Sequence, residues 1–154
     1  MAVLSAEMKQ VIAEQRLGFI ATVDADGAPN VSPKGTFLVL DDDHIMFGEM
    51  RSPNTVRNIA GNSAVEVNFV DPIVRKGIRV KGNARYVERS ADEFAQHLPA
   101  FQEVWGDLCE RFKGIVIIAA KKAAPLITPA YDAGATEEEL KTQWLGHFNA
   151  LHGS

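Results

Sequence analysis

The feature that most constrains the fold is a stretch of alternating apolar and polar residues over positions 18–87. Within it, turn residues recur at the spacing of β-hairpins, and Asp26-Gly27 between two extended runs is the strongest of these turns. The stretch contains six strand candidates, which are "GFIATV", "PNVSP", "TFLVL", "HIMFG", "SAVEVNFVD" and "GIRVKGNARYVE". Strands joined by short turns in this way predict a largely antiparallel sheet or barrel.

Helical periodicity flanks the strand region on both sides. Before it, residues 4–17 predict an amphipathic helix with Ser5 as the N-cap. After it, "SADE" predicts a capping box with Ser90 as the cap and Glu93 three residues on, and the helix that follows is expected to end at Gly114. Its apolar stripe is expected to pack on the sheet, and consists of Phe94, Leu98, Phe101, Trp105, Leu108 and Phe112.

The remaining residues predict one more strand, a loop and a last helix. "IVIIAA" is a continuous apolar run, which is typical of a strand buried on both faces. Pro125 and Pro129 favour a loop after it. "TEEE", starting at Thr136, predicts a second capping box and a helix over about 136–151. We therefore expect one α+β, mainly β domain over residues 1–154, with the barrel core at about 18–120.

The composition of the 154-residue chain argues against several classes of protein. A net charge of −4 does not suit nucleic-acid binding, because that needs a dense basic face. The single cysteine, Cys109, excludes an internal disulfide, and its position on an apolar helical face predicts a buried thiol. No metal site is expected, because the histidines lie far apart. No signal-peptide or membrane-spanning run is present, so we expect no membrane association and a cytoplasmic protein.

The first candidate site is a polar segment between two strand candidates, with Arg51, Ser52, Asn54, Thr55, Arg57 and Asn58. Ser52 can cap a short helix that has Pro53 at its first position and Gly61 at its end. Free N–H groups at such a helix start, beside hydroxyl, amide and guanidinium donors, suit a phosphate. The alternative is a well-capped surface helix without a ligand. Arg57 and Asn58, a turn further along, are expected to face solvent or a partner subunit.

The second candidate site interrupts a strand with "SPKG". Pro33 removes a ladder donor and Gly35 packs nothing, so the segment predicts a sheet edge, a bulge or a place where the backbone meets a ligand. Lys34 and Thr36 would supply a cation and a hydrogen-bond donor there.

A third cluster of positive charge lies in "RKGIRVKG". Alternation places Arg79 and Lys81 on one strand face, where solvation is the simpler interpretation. Arg75 and Lys76 precede a glycine in a loop, where they could reach an anion or an electron-rich ring.

The sequence resembles the pyridoxamine 5'-phosphate oxidase-like family of FMN-binding split barrels. The resemblance lies in an ordered series of segments: a strand, a DG turn, "SPKG", "FGEMRSPNT", "GNSAVEVN" and "RKGIRVKG". The resemblance runs over residues 18–87. It implies a six-stranded Greek-key split barrel with flanking helices, a homodimer, and FMN in a groove between the subunits.

The resemblance also implies which residues hold the flavin. The first flavin segment corresponds to Ser32, Pro33, Lys34, Gly35, Thr36 and Phe37, and the second to Phe47 and Gly48. The phosphate turn corresponds to Ser52, Asn54 and Thr55. The loop before the long strand corresponds to Arg75 and Lys76. The family's vitamin-making oxidases carry basic residues where this sequence has Ser32, Phe37, Asn54 and Thr55. The resemblance therefore implies FMN binding rather than pyridoxamine phosphate oxidation.

These observations favour an FMN-dependent oxidoreductase that passes hydride or electrons to a small-molecule acceptor. No catalytic acid or base can be identified, because the cofactor supplies the chemistry. Lys76 would stabilise negative charge on the reduced ring. The alternatives are a non-enzymatic flavin carrier or electron-transfer protein, a deazaflavin-dependent reductase on the same fold, and a cofactor-free structural domain.

Overall fold

The computed structural model describes residues 1–153, which form one seven-stranded antiparallel sheet with flanking helices. The sheet order is β2-β1-β5-β6-β7-β4-β3. The strands are β1 (Gly18–Val23), β2 (Pro29–Lys34), β3 (Phe37–Val39), β4 (His44–Glu49), β5 (Ala64–Asp71), β6 (Lys76–Glu88) and β7 (Gly114–Ile127). The predicted α+β split-barrel fold is confirmed, and its seven strands are the six candidates of the hairpin region together with β7.

Four α-helices and two short 3-10 helices surround the sheet. The α-helices are α1 (Ala6–Gln15), α2 (Pro53–Gly61), α3 (Asp92–Trp105) and α4 (Glu137–His152), and the 3-10 helices are Gly106–Arg111 and Pro129–Tyr131. Within the described residues, no helix is both long enough and apolar enough to cross a membrane.

The sheet curls, and its two longest strands, β6 and β7, pair with their outer neighbours over different parts of their length. β5 pairs with β6 along Lys76 to Asn83, whereas β4 pairs with β7 only from Gly114 to Ala119. The ladder between β6 and β7 also shifts register after Lys81. Such irregularities increase twist and allow a sheet to roll up.

The two edges of the curled sheet meet where β2 leads into β3. These strands are at opposite ends of the sheet order, yet only Gly35 and Thr36 separate them in the chain. The ring of Phe37 lies 4.8 Å from that of Phe69 and 5.0 Å from that of Phe47, measured between centroids. The chain therefore turns a corner at residues 35–36 and closes the barrel.

The predicted hairpin and aromatic core are confirmed. Gly27 adopts a positive φ of 84° in the turn, and the Asp24 carboxylate accepts hydrogen bonds from the N–H groups of Asp26 and Ala28. The stripe on α3 packs with β4, β6 and β7 in a second core cluster, where Cys109 is also buried. Burial raises the pKa of the Cys109 thiol.

The predicted boundaries of α3 are wrong at both ends. The N-cap is Ala91 without a side-chain hydrogen bond, and the carboxylate of Glu93 instead accepts a hydrogen bond of 2.7 Å from Arg85. The helix stops at Gly106, whose φ of 54° is incompatible with continuing it, and a 3-10 helix follows. Gly114 begins β7, where any Cβ would lie 2.4 Å from the ring of Tyr86.

The predicted loop after "IVIIAA" is also wrong, because β7 continues through Pro125 to Ile127. β4 has stopped pairing with β7 by this point, so one edge of β7 is free. A proline is tolerated in a strand with a free edge because its missing N–H is not needed there.

The predicted caps of the first and last helices are confirmed. The hydroxyl of Ser5 accepts the N–H of Met8, and Thr136 with Glu139 forms a complete capping box. α4 buries only Leu140 among its described side chains. Most of its surface is therefore open to solvent or to a partner.

Candidate functional site

Two shallow clefts lie side by side at the barrel corner. The corner cleft has a volume of about 320 Å³ and is lined by Ser32, Pro33, Lys34, Gly35, Thr36, Gly48, Met50 and Arg51. The helix cleft has a volume of about 200 Å³ and is lined by Asn30, Val31, Ser32, Arg51, Ser52, Pro53, Asn54 and Thr55. Because Ser32 and Arg51 line both, the clefts form one continuous surface, which we call the corner site.

One face of β2 forms the floor of the corner site. Successive residues of a strand point to opposite faces, so Asn30, Ser32 and Lys34 share a face and are all half-buried. The intervening residues Val31 and Pro33 are exposed and their side chains point to the opposite face, so each contributes to its cleft beside the row of polar side chains. The strand thus presents an amide, a hydroxyl and an ammonium in a row along the site.

The corner itself is held by Thr36 and Gly48. The Thr36 hydroxyl donates to the Gly48 carbonyl at 3.1 Å and accepts the Gly48 N–H at 3.2 Å. A Cβ at position 48 would lie 2.2 Å from the ring of Phe112, so packing requires the glycine. Both predicted ligand residues therefore have structural roles at the corner, and both also line the corner cleft.

Lys34 is a cation in an environment that does not favour its charge. Burial lowers the pKa of Lys34 below the usual range for lysine, and the negative charge of Glu49 only partly offsets this effect. Its Nζ lies 5.6 Å from the centroid of the Phe47 ring. An anionic ligand in the corner cleft would stabilise the ammonium.

The start of α2 offers fewer donors than its sequence predicts. Ser52 is the N-cap but makes no side-chain capping bond; its N–H and its hydroxyl both donate to Oε1 of Glu49, at 2.5 Å and 3.0 Å. Pro53 has no N–H, and the N–H of Val56 bonds to the Ser52 carbonyl. Helix geometry therefore leaves the N–H groups of Asn54 and Thr55 without an intrahelical acceptor.

Buried polar contacts fix α2 on the sheet. Thr55 is only 1% exposed, and its hydroxyl accepts a 3.5 Å hydrogen bond from Asn30. Asn58 donates to the Thr22 hydroxyl at 3.0 Å and is buried, so the expectation that it faces solvent or a partner is wrong. Arg57 is exposed and donates to Asn54 at 3.2 Å.

The other predicted flavin residues do not line either of the two clefts. The side chains of Phe37 and Phe47 are buried in the barrel core. The guanidinium of Arg75 lies 3.5 Å from the ring centroid of Trp144 in α4, and Nζ of Lys76 lies 4.6 Å from that of Tyr131. Both cations therefore pack against aromatic rings of the C-terminal segment, as a cation over an electron-rich ring does.

Arg51, whose guanidinium was expected to help bind a phosphate, is the cation that both clefts share. Sequence reasoning did not select Asn30, which lines the helix cleft, or Glu49, which bonds to Ser52 of that cleft. Asn30 could have been found from its two-residue spacing to Ser32 and Lys34. Glu49 carries no such signal, because nothing local distinguishes a buried strand-end carboxylate from an exposed one.

The geometry defines a class of protein: a split β-barrel with a cationic, donor-bearing cleft at the corner where its sheet edges meet. Such a cleft suits an elongated anionic ligand. Among residues 1–153, no group of three or more histidine, cysteine, aspartate or glutamate side chains is placed to hold a metal ion. The chain belongs to the pyridoxamine 5'-phosphate oxidase family, whose sequence model matches residues 4–131.

Solved structures share this fold. HupZ from Group A Streptococcus is 30% identical, with 81% of this chain and 95% of that chain covered and a TM-score of 0.70. HutZ, the heme storage protein from Vibrio cholerae, is 21% identical, with 82% and 95% covered and a TM-score of 0.65. An FMN-binding protein from Syntrophomonas wolfei subsp. wolfei is 15% identical, with 79% and 84% covered and a TM-score of 0.65. No curated protein matches the sequence.

Proposed function

We propose that the chain is an FMN-binding flavoprotein that holds its cofactor in the corner site. The observation that carries the proposal is that residues from β2, from the end of β4 and from the start of α2 line one continuous surface. These are the segments in which the resemblance places the flavin residues. Membership of the family and the fold shared with an FMN-binding protein support the same ligand.

The residues of the corner site fit the parts of FMN. Arg51, the side-chain amide of Asn54 and the N–H groups at the start of α2 suit the phosphate. Ser32 and Lys34 suit the hydroxyl-bearing chain and an anionic ring edge. Burial lowers the pKa of Lys34 and the charge of Glu49 offsets only part of this effect, so an anion in the corner cleft would further stabilise the ammonium.

We assign an oxidoreductase role to the protein, with a small molecule as the electron donor or acceptor. Bound FMN would supply hydride and single-electron transfer. The residues of this chain bind and orient the ligand, and Lys34 holds positive charge beside it. We assign no catalytic acid or base.

The first experiment is titration of the purified protein with FMN. We expect quenching of flavin fluorescence with saturable binding, and reduction of the bound flavin by NADH or NADPH with turnover of an added acceptor. Binding without turnover would favour a flavin carrier. A Soret band with added heme and no flavin binding, or binding of a deazaflavin alone, would contradict the proposal.

We also propose that the protein is a homodimer that uses the outer face of β1, β2, β5 and β6. This face carries apolar side chains that are substantially exposed, Phe19 at 43%, Val31 at 62% and Val70 at 40%. Strand register places them on one face of the sheet. Val31 in β2 is opposite Ala21 in β1, which is two residues from Phe19 and is itself opposite Glu66 in β5. Phe19 is opposite Asn68 in β5, which is two residues from Val70. Exposed apolar residues grouped in this way are typical of an interaction surface.

The charges on this face suit a second copy of the chain. Glu66 lies 3.5 Å from both Arg79 and Lys81, and Lys122 is opposite Lys81 on the next strand. A two-fold interface needs a patch that is complementary to itself, and a patch with both signs of charge around apolar residues meets that need. The resemblance implies that the loop with Arg75 and Lys76 approaches the flavin ring from the partner or from the same chain.

We expect the double variant Phe19→Asp, Val31→Asp to be monomeric at concentrations at which the wild type is dimeric. Charges placed in a buried apolar interface are strongly unfavourable because they lose their hydration. Light scattering coupled to size-exclusion chromatography measures the change. Val104→Asp is the control, since Val104 is 40% exposed on α3, away from this face. A double variant that remains dimeric would contradict the proposed interface.

A further inference from the structure

A buried carboxylate lies next to the corner site, where it bonds to the cleft residue Ser52. Glu49 ends β4, is only 3% exposed, and lies between cleft-lining residues Gly48 and Met50 in the chain. Its carboxylate makes no ion pair within 4.0 Å among the residues that the structure describes, and the two hydrogen bonds it receives both come from Ser52. The charge of Lys34 acts on it only from further away. A buried charge with so few partners is costly, which calls for an explanation.

The position of Glu49 changes what the start of α2 can bind. A helix N-terminus attracts an anion through its free N–H groups and its dipole. Here an anion belonging to the protein already occupies the Ser52 donors. A ligand phosphate would be left with Arg51 and the N–H groups of Asn54 and Thr55, and it would lie near a charge of its own sign.

We propose that Glu49 determines how strongly the corner site prefers phosphorylated over unphosphorylated flavin. The Glu49 carboxylate keeps the N–H and the hydroxyl of Ser52 bonded to itself, so the phosphate is confined to the side of the helix start with Arg51 and Asn54. Its negative charge also weakens binding of the phosphate by like-charge repulsion. The inference rests on the proposed function, since it concerns the phosphate of the same ligand. A purely structural cap would instead affect stability and leave that preference unchanged.

The test compares Glu49→Gln with wild type in titrations with FMN and with riboflavin. Glutamine keeps an oxygen acceptor for Ser52 but removes the charge. We expect the ratio of the riboflavin to the FMN dissociation constant to rise by about tenfold, because only FMN carries the phosphate. The control is Glu103→Gln, which removes the same charge from an exposed position on α3. An unchanged or lower ratio in folded Glu49→Gln would overturn the proposal.

A measurement on the wild-type protein tests the same proposal and does not depend on whether a variant folds correctly. In nitrogen–proton correlation spectra, added inorganic phosphate should shift the amide signals of Asn54 and Thr55 more than that of Ser52. The largest shift at Ser52, or no shift at all near the start of α2, would overturn the role of Glu49. If wild type binds neither flavin, the proposed function fails, whereas the phosphate titration still tests Glu49.

Discussion

Replacing Arg51 by alanine is expected to weaken FMN binding by about tenfold to a hundredfold, because hydrogen bonds to a charged group contribute about 1.5 to 3 kcal/mol. Arg51 lines both the corner cleft and the helix cleft. Ser52 cannot compensate, since its hydroxyl and its N–H are bound to Glu49. Arg51 is exposed, so the fold should be unaffected.

Fluorescence titration with FMN and riboflavin measures the effect of Arg51→Ala. The loss should be large for FMN and small for riboflavin, because the guanidinium acts on the phosphate. Arg111→Ala is the control, since it removes the same charge from an exposed residue of the 3-10 helix after α3. Equal losses for the two ligands, or none for FMN, would place the phosphate elsewhere.

The sequence located the segments that line the corner site, but it did not reveal the contacts that their side chains make within the chain. Period-two alternation and the break at residues 33–35 locate β2 and the corner, because those signals are local. Ser52 and Thr55 were predicted as phosphate ligands, yet their hydroxyls contact Glu49 and Asn30. A donor near a helix start looks the same in sequence whether its acceptor is a ligand or another residue of the chain.

Errors in the fold prediction have the same origin. Pro125 was expected to interrupt a strand, and it does not, because β4 pairs only with the first part of β7. The contact of Arg75 with Trp144 joins residues that are far apart in the chain. Neither pairing length nor distant contacts can be determined from a local pattern of residues.

Phe37→Ala is expected to lower the free energy of unfolding by about 3 to 5 kcal/mol, as for other large-to-small changes at buried aromatic residues. Phe37 was predicted as a flavin residue, but its side chain is only 1% exposed and its ring packs against those of Phe47 and Phe69. It follows the corner directly and joins the two edges of the sheet. Removing its ring leaves a cavity where the barrel closes.

Urea unfolding measures the loss, and Phe148→Ala is the control because Phe148 is half-buried on the largely exposed helix α4. We expect the control to cost much less than Phe37→Ala. FMN binding to folded Phe37→Ala should weaken less than in Arg51→Ala, since the buried ring acts on the ligand only through the position of the corner. A stability loss below about 1 kcal/mol would show that the barrel closes without this ring.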